Sequence, residues 1–262
     1  MKSLHQIISP VAAELQQFEA YLEKTLKADT EPMADIMRYV LETKGKRLRP
    51  MLVLLSARLF GEVNEKTLRA ATFVEMIHSA TLIHDDIVDD SDLRRGQASV
   101  KARFGNLSAV LAGDYLLSKA MLLIAADADI LKEMLHTAAA MSEGELIQNT
   151  VADCVSQSGK TTRYLDVVTR KTATLMRSCC VAGAMSVGAT TEQIRQLSDF
   201  GLNFGILFQL RDDMLDGENA EQAQALLPEY LHKTLDALQH LSASEPLEAL
   251  RELTMFCAER EE

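Results

Sequence analysis

Helix breakers are nearly missing from the middle of this sequence. Its five prolines, Pro10, Pro32, Pro50, Pro228 and Pro246, leave the stretch 51–227 without one, so nothing there removes an amide donor or forces the ring clash that ends a helix. Strand signals are missing as well: there is no sustained apolar/polar alternation and no Asn-Gly or Asp-Gly hairpin between alternating runs. Cysteine is sparse. Cys154, Cys179, Cys180 and Cys257 include no C-x-x-C pair, and the N-terminus carries no secretory signal, a combination that points to a reducing, cytoplasmic setting. The apolar runs stop well short of the roughly 18 residues a membrane span needs. Positive charge is in deficit, 27 Lys and Arg against 38 Asp and Glu for a net −11, which argues against a nucleic-acid partner.

What remains is helical. Hydrophobic residues make up 47% of the 262, enough for a packed core, and they recur at i, i+3 and i+4. The pattern predicts an all-α protein folded as a single domain over 1–262, with helices near 3–27, 31–44, 50–60, 65–89, 106–126, 128–150, 161–187, 191–216, 218–241 and 246–260. Asn64 is placed to cap the helix that follows it, Thr190 with Gln193 forms a capping box, and Gly217 stands where a C-terminal glycine belongs.

The fourth of those helices runs straight into acid. Leu82-Ile83-His84 leads to Asp85, Asp86, Asp89, Asp90 and Asp92, then to Arg94 and Arg95. With helical geometry, Asp85 and Asp89 are an i,i+4 pair and Asp86 and Asp89 an i,i+3 pair, their Cβ atoms roughly 5–6 Å apart on one face. Like charges so close repel unless a hard cation neutralises them, and carboxylate oxygens suit Mg²⁺. A lone DDxxD is as easily a solvated helix end. The spacing recurs, however, at the end of helix 191–216, where Phe208-Gln209-Leu210-Arg211 precedes Asp212, Asp213 and Asp216. Two such clusters facing each other suggest a cradle in which metals bridge a diphosphate. Lys44-Gly45-Lys46-Arg47-Leu48-Arg49 adds four cations within six residues of an acidic protein, an anion site or a solvated basic turn. Metal-binding carboxylates plus a separate basic group are what two phosphorylated substrates would require.

These pieces, with others, resemble the trans-isoprenyl diphosphate synthase (polyprenyl synthetase) family. The matching stretches are GKRLRP at 45–50, IHSATLIHDDIVDDSDLRRG at 77–96, FGN at 104–106, GDYLLS at 113–118, EGEL at 143–146, KTATL at 171–175 and FQLRDDMLD at 208–216. The resemblance implies the isoprenoid synthase-type helical bundle around a central cavity, usually as a homodimer, and a head-to-tail joining of isopentenyl diphosphate to an allylic diphosphate. It implies that Asp85, Asp86, Asp89 and Asp212 hold Mg²⁺ and the allylic diphosphate, with Asp213 and Asp216 supporting. Arg94 and Lys171 would touch that diphosphate, Lys46, Arg49, His78 and Arg95 the isopentenyl diphosphate, while Thr172 and Gln209 lie beside the reacting carbons. No side chain is an obvious base; in the family the leaving diphosphate is inferred to take the proton.

The product chain is expected to run back along the helix that carries the first aspartates, with Ala80 and Thr81 as the first constriction. Both are small, which implies a medium to long product unless Phe73 or Ile77 stops it. Gly201 and Gly205 serve close helix packing or room for a substrate tail. Met121, Met134 and Met141 read as core filler, and Cys179-Cys180 as buried thiols. The sequence departs from the family after Asp216: Gly217-Glu218-Asn219-Ala220 leads directly into 221–241 and 246–262, which resemble only the final helical pair, so several tens of residues are absent. Two other functions therefore stand beside the synthase: a weakly active or inactive subunit of a heteromeric prenyl synthase, and a class I terpene cyclase, which has no use for the basic site.

Overall fold

Caps and glycines set the ends of the longest helices in the computed structural model, which describes residues 2–43, 45–150, 157–217 and 219–260; Lys44, Cys154 and Glu218 lie outside these. Asn64 accepts from the Thr67 amide at 3.1 Å and starts α5 (Glu65–Val88). Thr190 and Gln193 form the reciprocal capping box of α11 (Thr191–Asp216), and Gly217 ends it in the left-handed region at φ 76, a conformation that costs glycine nothing. At 26 residues and about 1.5 Å each, α11 spans roughly 39 Å.

The remaining elements are α1 (Leu4–Ile7), a 3₁₀ turn Ser9–Val11, α2 (Ala12–Thr25), α3 (Glu31–Glu42), α4 (Leu48–Arg58), α6 (Val100–Phe104), α7 (Asn106–Leu123), α8 (Ala128–Thr150), α9 (Gln157–Val168), α10 (Thr174–Ser186), α12 (Ala220–Asp236) and α13 (Glu245–Glu259). The all-α expectation stands, and helix bounds agree to within a few residues. Four details depart from it. The expected helix 3–27 is divided into α1, the 3₁₀ turn and α2, and the short helix α6 stands where none was expected. A hairpin of β1 (Leu93–Arg94) and β2 (Gln97–Ala98) pairs antiparallel, Leu93 with Ala98 and Arg94 with Gln97. Its turn is Arg95-Gly96, both at positive φ as a type I′ turn demands, and Tyr39 holds it by donating to the Ala98 carbonyl at 2.6 Å. The expected helix 161–187 is likewise interrupted by a five-residue π-helical turn, Thr169–Ala173.

Helices α4, α5, α10 and α11 form the centre, with α7 against α5 and α12 along α11. Phe18, Leu52, Phe73, Met76, Leu116, Phe200 and Phe204 are buried in one core, where Phe200 and Phe204 stack at 5.6 Å. A smaller cluster joins Val168, Leu207 and Leu210 to Ala223 and Tyr230 of α12 and Ala258 of α13. The C-terminal hairpin thus folds back onto the bundle, as the apolar spacing of 223–238 requires. Cys179, Cys180 and Cys257 are buried free thiols. Among the described residues no helix is long and apolar enough to cross a membrane.

The glycines of α11 are resolved in favour of packing. A Cβ on Gly205 would stand 2.5 Å from Ala173 Cα, and one on Gly201 would stand 2.8 Å from Arg177 Cα. These are backbone atoms that cannot swing aside. Glycine to alanine inside a helix ordinarily gains up to about 1 kcal/mol, whereas overpacking costs about 1–3 kcal/mol. Gly205→Ala is therefore expected to lower the urea midpoint of unfolding. A midpoint unchanged or raised would mean that α10 and α11 have slack between them.

Candidate active site

Two cavities meet at the C-terminal ends of α5 and α11. The larger, about 750 Å³, is lined by Asp85 and Thr81 of α5, Met141 and Glu145 of α8, Lys171 and Thr172 of the π turn, and Phe208, Gln209 and Asp212 of α11. The second, about 570 Å³, is walled by Lys46, Arg47, Arg49, Glu75, Cys257 and Arg260. Arg49, His78, Arg95, Phe208 and Asp212 border both. The two aspartate clusters do face a common space, through one residue each.

The other aspartates turn elsewhere. Successive helical residues are about 100° apart, so Asp86 leaves the face of Asp85 and is buried against Arg94, whose Nε donates to its Oδ1 at 2.9 Å. Asp89 is the C-cap of α5 and is exposed. Asp213 is buried and accepts from Tyr164 and Gln209 at 2.5 and 2.7 Å, while Asp216 is exposed beyond the cavity lining. The expectation that Asp85, Asp86 and Asp89 share one face is thus corrected. Among the described residues no three His, Cys, Asp or Glu converge on one point as a metal site.

Asp85 carries the strain of the site. Burial, then the charge of Glu145, raise its pKa from 3.8 to about 6, Lys171 opposing and Asp89 adding. Lys171 is drawn to Glu145 at 2.6 Å and Gln148 at 3.1 Å. Burial also raises Asp212, against the pull of Arg260, which is ion-paired to it. These oxygen donors fit Mg²⁺ of the sort that keeps waters and takes its remaining ligands from a substrate's phosphates, not a cage of protein ligands.

The basic side is ordered by burial. Arg47, at φ 56, is tied down by Glu19 at 2.8 Å and Glu75 at 2.5 Å, so it anchors the loop. Among the described residues Arg49 forms no ion pair: one guanidinium nitrogen lies 3.0 Å from His78 Nε2, and its buried Nε has no hydrogen-bond partner. Burial and the charges of Arg49, Arg95, Arg94 and Arg47 press the His78 pKa well below normal. The ring is neutral, and its Nε2 accepts from Arg49. Among the described residues Arg95 donates to the Thr43 carbonyl at 3.2 Å, and a Cβ on Gly45 would strike its guanidinium at 2.5 Å. Cations this buried, with no ion pair among the described residues, have the chemistry to receive an anion.

The family model for polyprenyl synthetase matches residues 30–225. The chain belongs to that family. Curated relatives in the polyprenyl synthetase family include the octaprenyl diphosphate synthase of Haemophilus influenzae, 34% identical over 85% of this chain and 68% of the relative. Heptaprenyl diphosphate synthase component 2 of Geobacillus stearothermophilus is 33% identical over 85% of this chain and 68% of its own length. The chain thus spans about two thirds of these relatives. A crystal structure of polyprenyl synthase from Caulobacter crescentus, complexed with calcium and isoprenyl diphosphate, superposes with a TM-score of 0.91 at 27% identity, covering 99% of this chain and 98% of that one. The polyprenyl synthetases are prenyltransferases with the all-α isoprenoid synthase fold.

Three site residues escaped the sequence. Arg260 ion-pairs with Asp212 and lies 4.3 Å over the Phe208 ring, but only the path of α13 brings it there. Glu145 stood within the EGEL stretch, and Tyr164, seven residues before Lys171 in the sequence, is carried to Asp213 by α9. Ala80 is corrected: it is fully buried in the core with Phe73 and Ile77, and only Thr81 of the pair lines the cavity. Met134 is core, whereas Met141 is cavity wall.

A carboxyl whose pKa is raised on folding takes up a proton, so stability falls as pH rises from about 4 towards 6, and the full cost is present above that. Asp85→Asn removes it. Allowing for solvent screening, about 1 kcal/mol is expected, roughly 2–4 °C in Tm: the metal-free variant should melt higher than wild type at pH 7.5, with the gap narrowing below pH 6 and closing near pH 4. A gap constant with pH would dissociate the effect from this carboxyl.

Proposed function

We propose that the chain is a Mg²⁺-dependent trans-polyprenyl diphosphate synthase that joins isopentenyl diphosphate to an allylic diphosphate, giving a product of medium to long chain. The observation that carries this reading is the pair of adjoining cavities, one reached by Asp85 and Asp212 and the other by Lys46, Arg49 and Arg95, with Arg49, His78, Arg95, Phe208 and Asp212 as their common border. A terpene cyclase would need one anion site, not two. The names of the relatives support the product class.

In this reading Asp85 and Asp212 would hold the metal, with Asp89 and Asp216 at the rim, and Mg²⁺ bound there would supply positive charge for the leaving diphosphate. Arg94 stands with Asp86 at its edge, and Lys171 is released from Glu145 to the allylic diphosphate. Arg49, Arg95 and Lys46 bind the second diphosphate, and neutral His78 keeps Arg49 in position. Since the His78 Nε2 lone pair is already engaged, the ring is no base, and the released diphosphate is left to accept the proton. Thr81, Leu82, Met141, Leu146 and Phe208 line the larger cavity and exclude water from an allylic cation.

Purified protein with labelled isopentenyl diphosphate, Mg²⁺ and separate allylic primers is expected to yield chains beyond fifteen carbons, and Thr81→Tyr to shorten them. No condensation with any primer would refute the synthase reading for the chain alone. The name of the Geobacillus relative, a component 2, favours one second reading in that event, a subunit that works only with another chain.

We also propose a homodimer. Helix α7 exposes Leu107 and Leu122 at 75% and 76%, and Val110 and Leu111 between them, apolar side chains along one helix of the kind that marks an interaction site. Sedimentation equilibrium should give twice the chain mass for wild type and the monomer for Leu107→Glu/Leu111→Glu; a monomeric wild type would overturn this.

A further inference from the structure

Four side chains from three parts of the fold form one hydrogen-bonded file beside the larger cavity. Tyr164 of α9 donates its phenolic proton to Asp213 Oδ2 at 2.5 Å. Gln209 Nε2 donates to Asp213 Oδ1 at 2.7 Å, and Thr172 Oγ1 donates to Gln209 Oε1 at 2.8 Å. Thr172 and Gln209 line the cavity; Tyr164 and Asp213 stand behind them.

The file has a direction. Asp213 is 8% exposed with both oxygens engaged, so as a carboxylate it only accepts. Burial and Asp213 hold the Tyr164 phenol above its usual pKa, so it stays a donor. The Gln209 amide is fixed between them, because a flipped amide would set its carbonyl against the carboxylate. Its oxygen then claims the one proton of Thr172. Thr172 is left with oxygen lone pairs to offer the cavity, negative ends of dipoles held in place before any positive charge develops, which is the arrangement that stabilises such charge most.

We infer that Tyr164 and Asp213 are positioning residues that orient Gln209 and Thr172 towards the reacting carbons, and that Asp213, unlike Asp212, is not a metal ligand. The inference rests on the synthase reading of the cavity. It assigns to the two adjacent aspartates of the second cluster opposite tasks, one facing the substrate and one facing the protein.

Three variants test it. Tyr164→Phe removes only the hydroxyl. Asp213→Asn keeps an acceptor for Gln209 and can donate to a rotated Tyr164 hydroxyl, so it preserves the file while discarding the charge a metal needs; Asp213→Leu destroys both. Tyr164→Phe is expected to lower kcat about tenfold, as the loss of one charge-assisted hydrogen bond does. Its KM for both diphosphates should stay within about twofold of wild type, as should its Mg²⁺ affinity by calorimetry with inorganic pyrophosphate present. Asp213→Asn should keep near-normal Mg²⁺ affinity and most of kcat, and Asp213→Leu should lose at least as much kcat as Tyr164→Phe. An unchanged kcat in Tyr164→Phe would overturn the positioning role. Mg²⁺ binding weakened about tenfold in Asp213→Asn would make Asp213 a ligand after all. If Tyr164→Phe does not fold by circular dichroism, kcat of Asp213→Asn against Asp213→Leu decides instead: equal loss in both refutes the file. If wild type makes no product, the synthase reading fails first, and the Mg²⁺ titrations still judge Asp213.

Discussion

Carboxylates gathered at the C-terminal ends of two long helices are the constraint on which the rest of this structure depends. The last turn of a helix already presents unsatisfied carbonyls and the negative end of the macrodipole, so Asp85 and Asp86 on α5 and Asp212 and Asp213 on α11 stand where acid is least welcome. Much of the surrounding chain answers that charge. The β hairpin brings Arg94 to Asp86, α6 brings Lys101 to Asp90 and Asp92, and α13 brings Arg260 to Asp212. Asp213 is met by neutral donors. Asp85 has Lys171 nearby, but that amine is bound to Glu145. The residual charge collects on the residue that faces the larger cavity.

The basic loop shows the converse economy. Of its cations, Arg47 is spent on Glu19 and Glu75, and that anchoring leaves Arg49 directed inward without an acid. The neutral His78 is a spacer that can lie beside several guanidiniums without pairing off any of them. Excess negative charge on one wall and excess positive charge on the next is a poor way to stabilise an empty protein and a good way to hold anions with and without metal.

The helical fold was legible because its signals are local. Asn64, Thr190 with Gln193, and Gly217 act within a turn of their own positions, and the scarcity of proline is visible at a glance. The hairpin at 93–98 was not legible, since strands of two residues carry no alternation and an arginine takes the left-handed turn position where asparagine or aspartate would have announced it. The aspartate motifs were found, but their division of labour was not: i,i+4 spacing speaks for Asp85 and Asp89 while leaving open where the helix ends, and Asp89 falls outside it. Lys46, Arg49, His78 and Arg95 border one cavity because the loop, α5 and the hairpin turn are adjacent. Arg260 was hidden because its place follows from how α13 lies across the bundle, a fact of packing and not of pattern.

The π turn at Thr169–Ala173 has a bearing on how this sequence is aligned and altered. A wide turn holds an extra residue without ending the helix, so it works as a phase shifter: residues on either side obey two helical wheels offset by about 100°. Tyr164 and Leu165 belong to the first wheel, Met176 and Cys180 to the second, and Lys171 and Thr172 occupy the step between them. Substitution leaves that offset in place; a single-residue deletion would erase it, keeping the helix continuous while turning one half's carefully chosen face away from its neighbours. In such a helix, insertions and deletions are the changes of largest consequence.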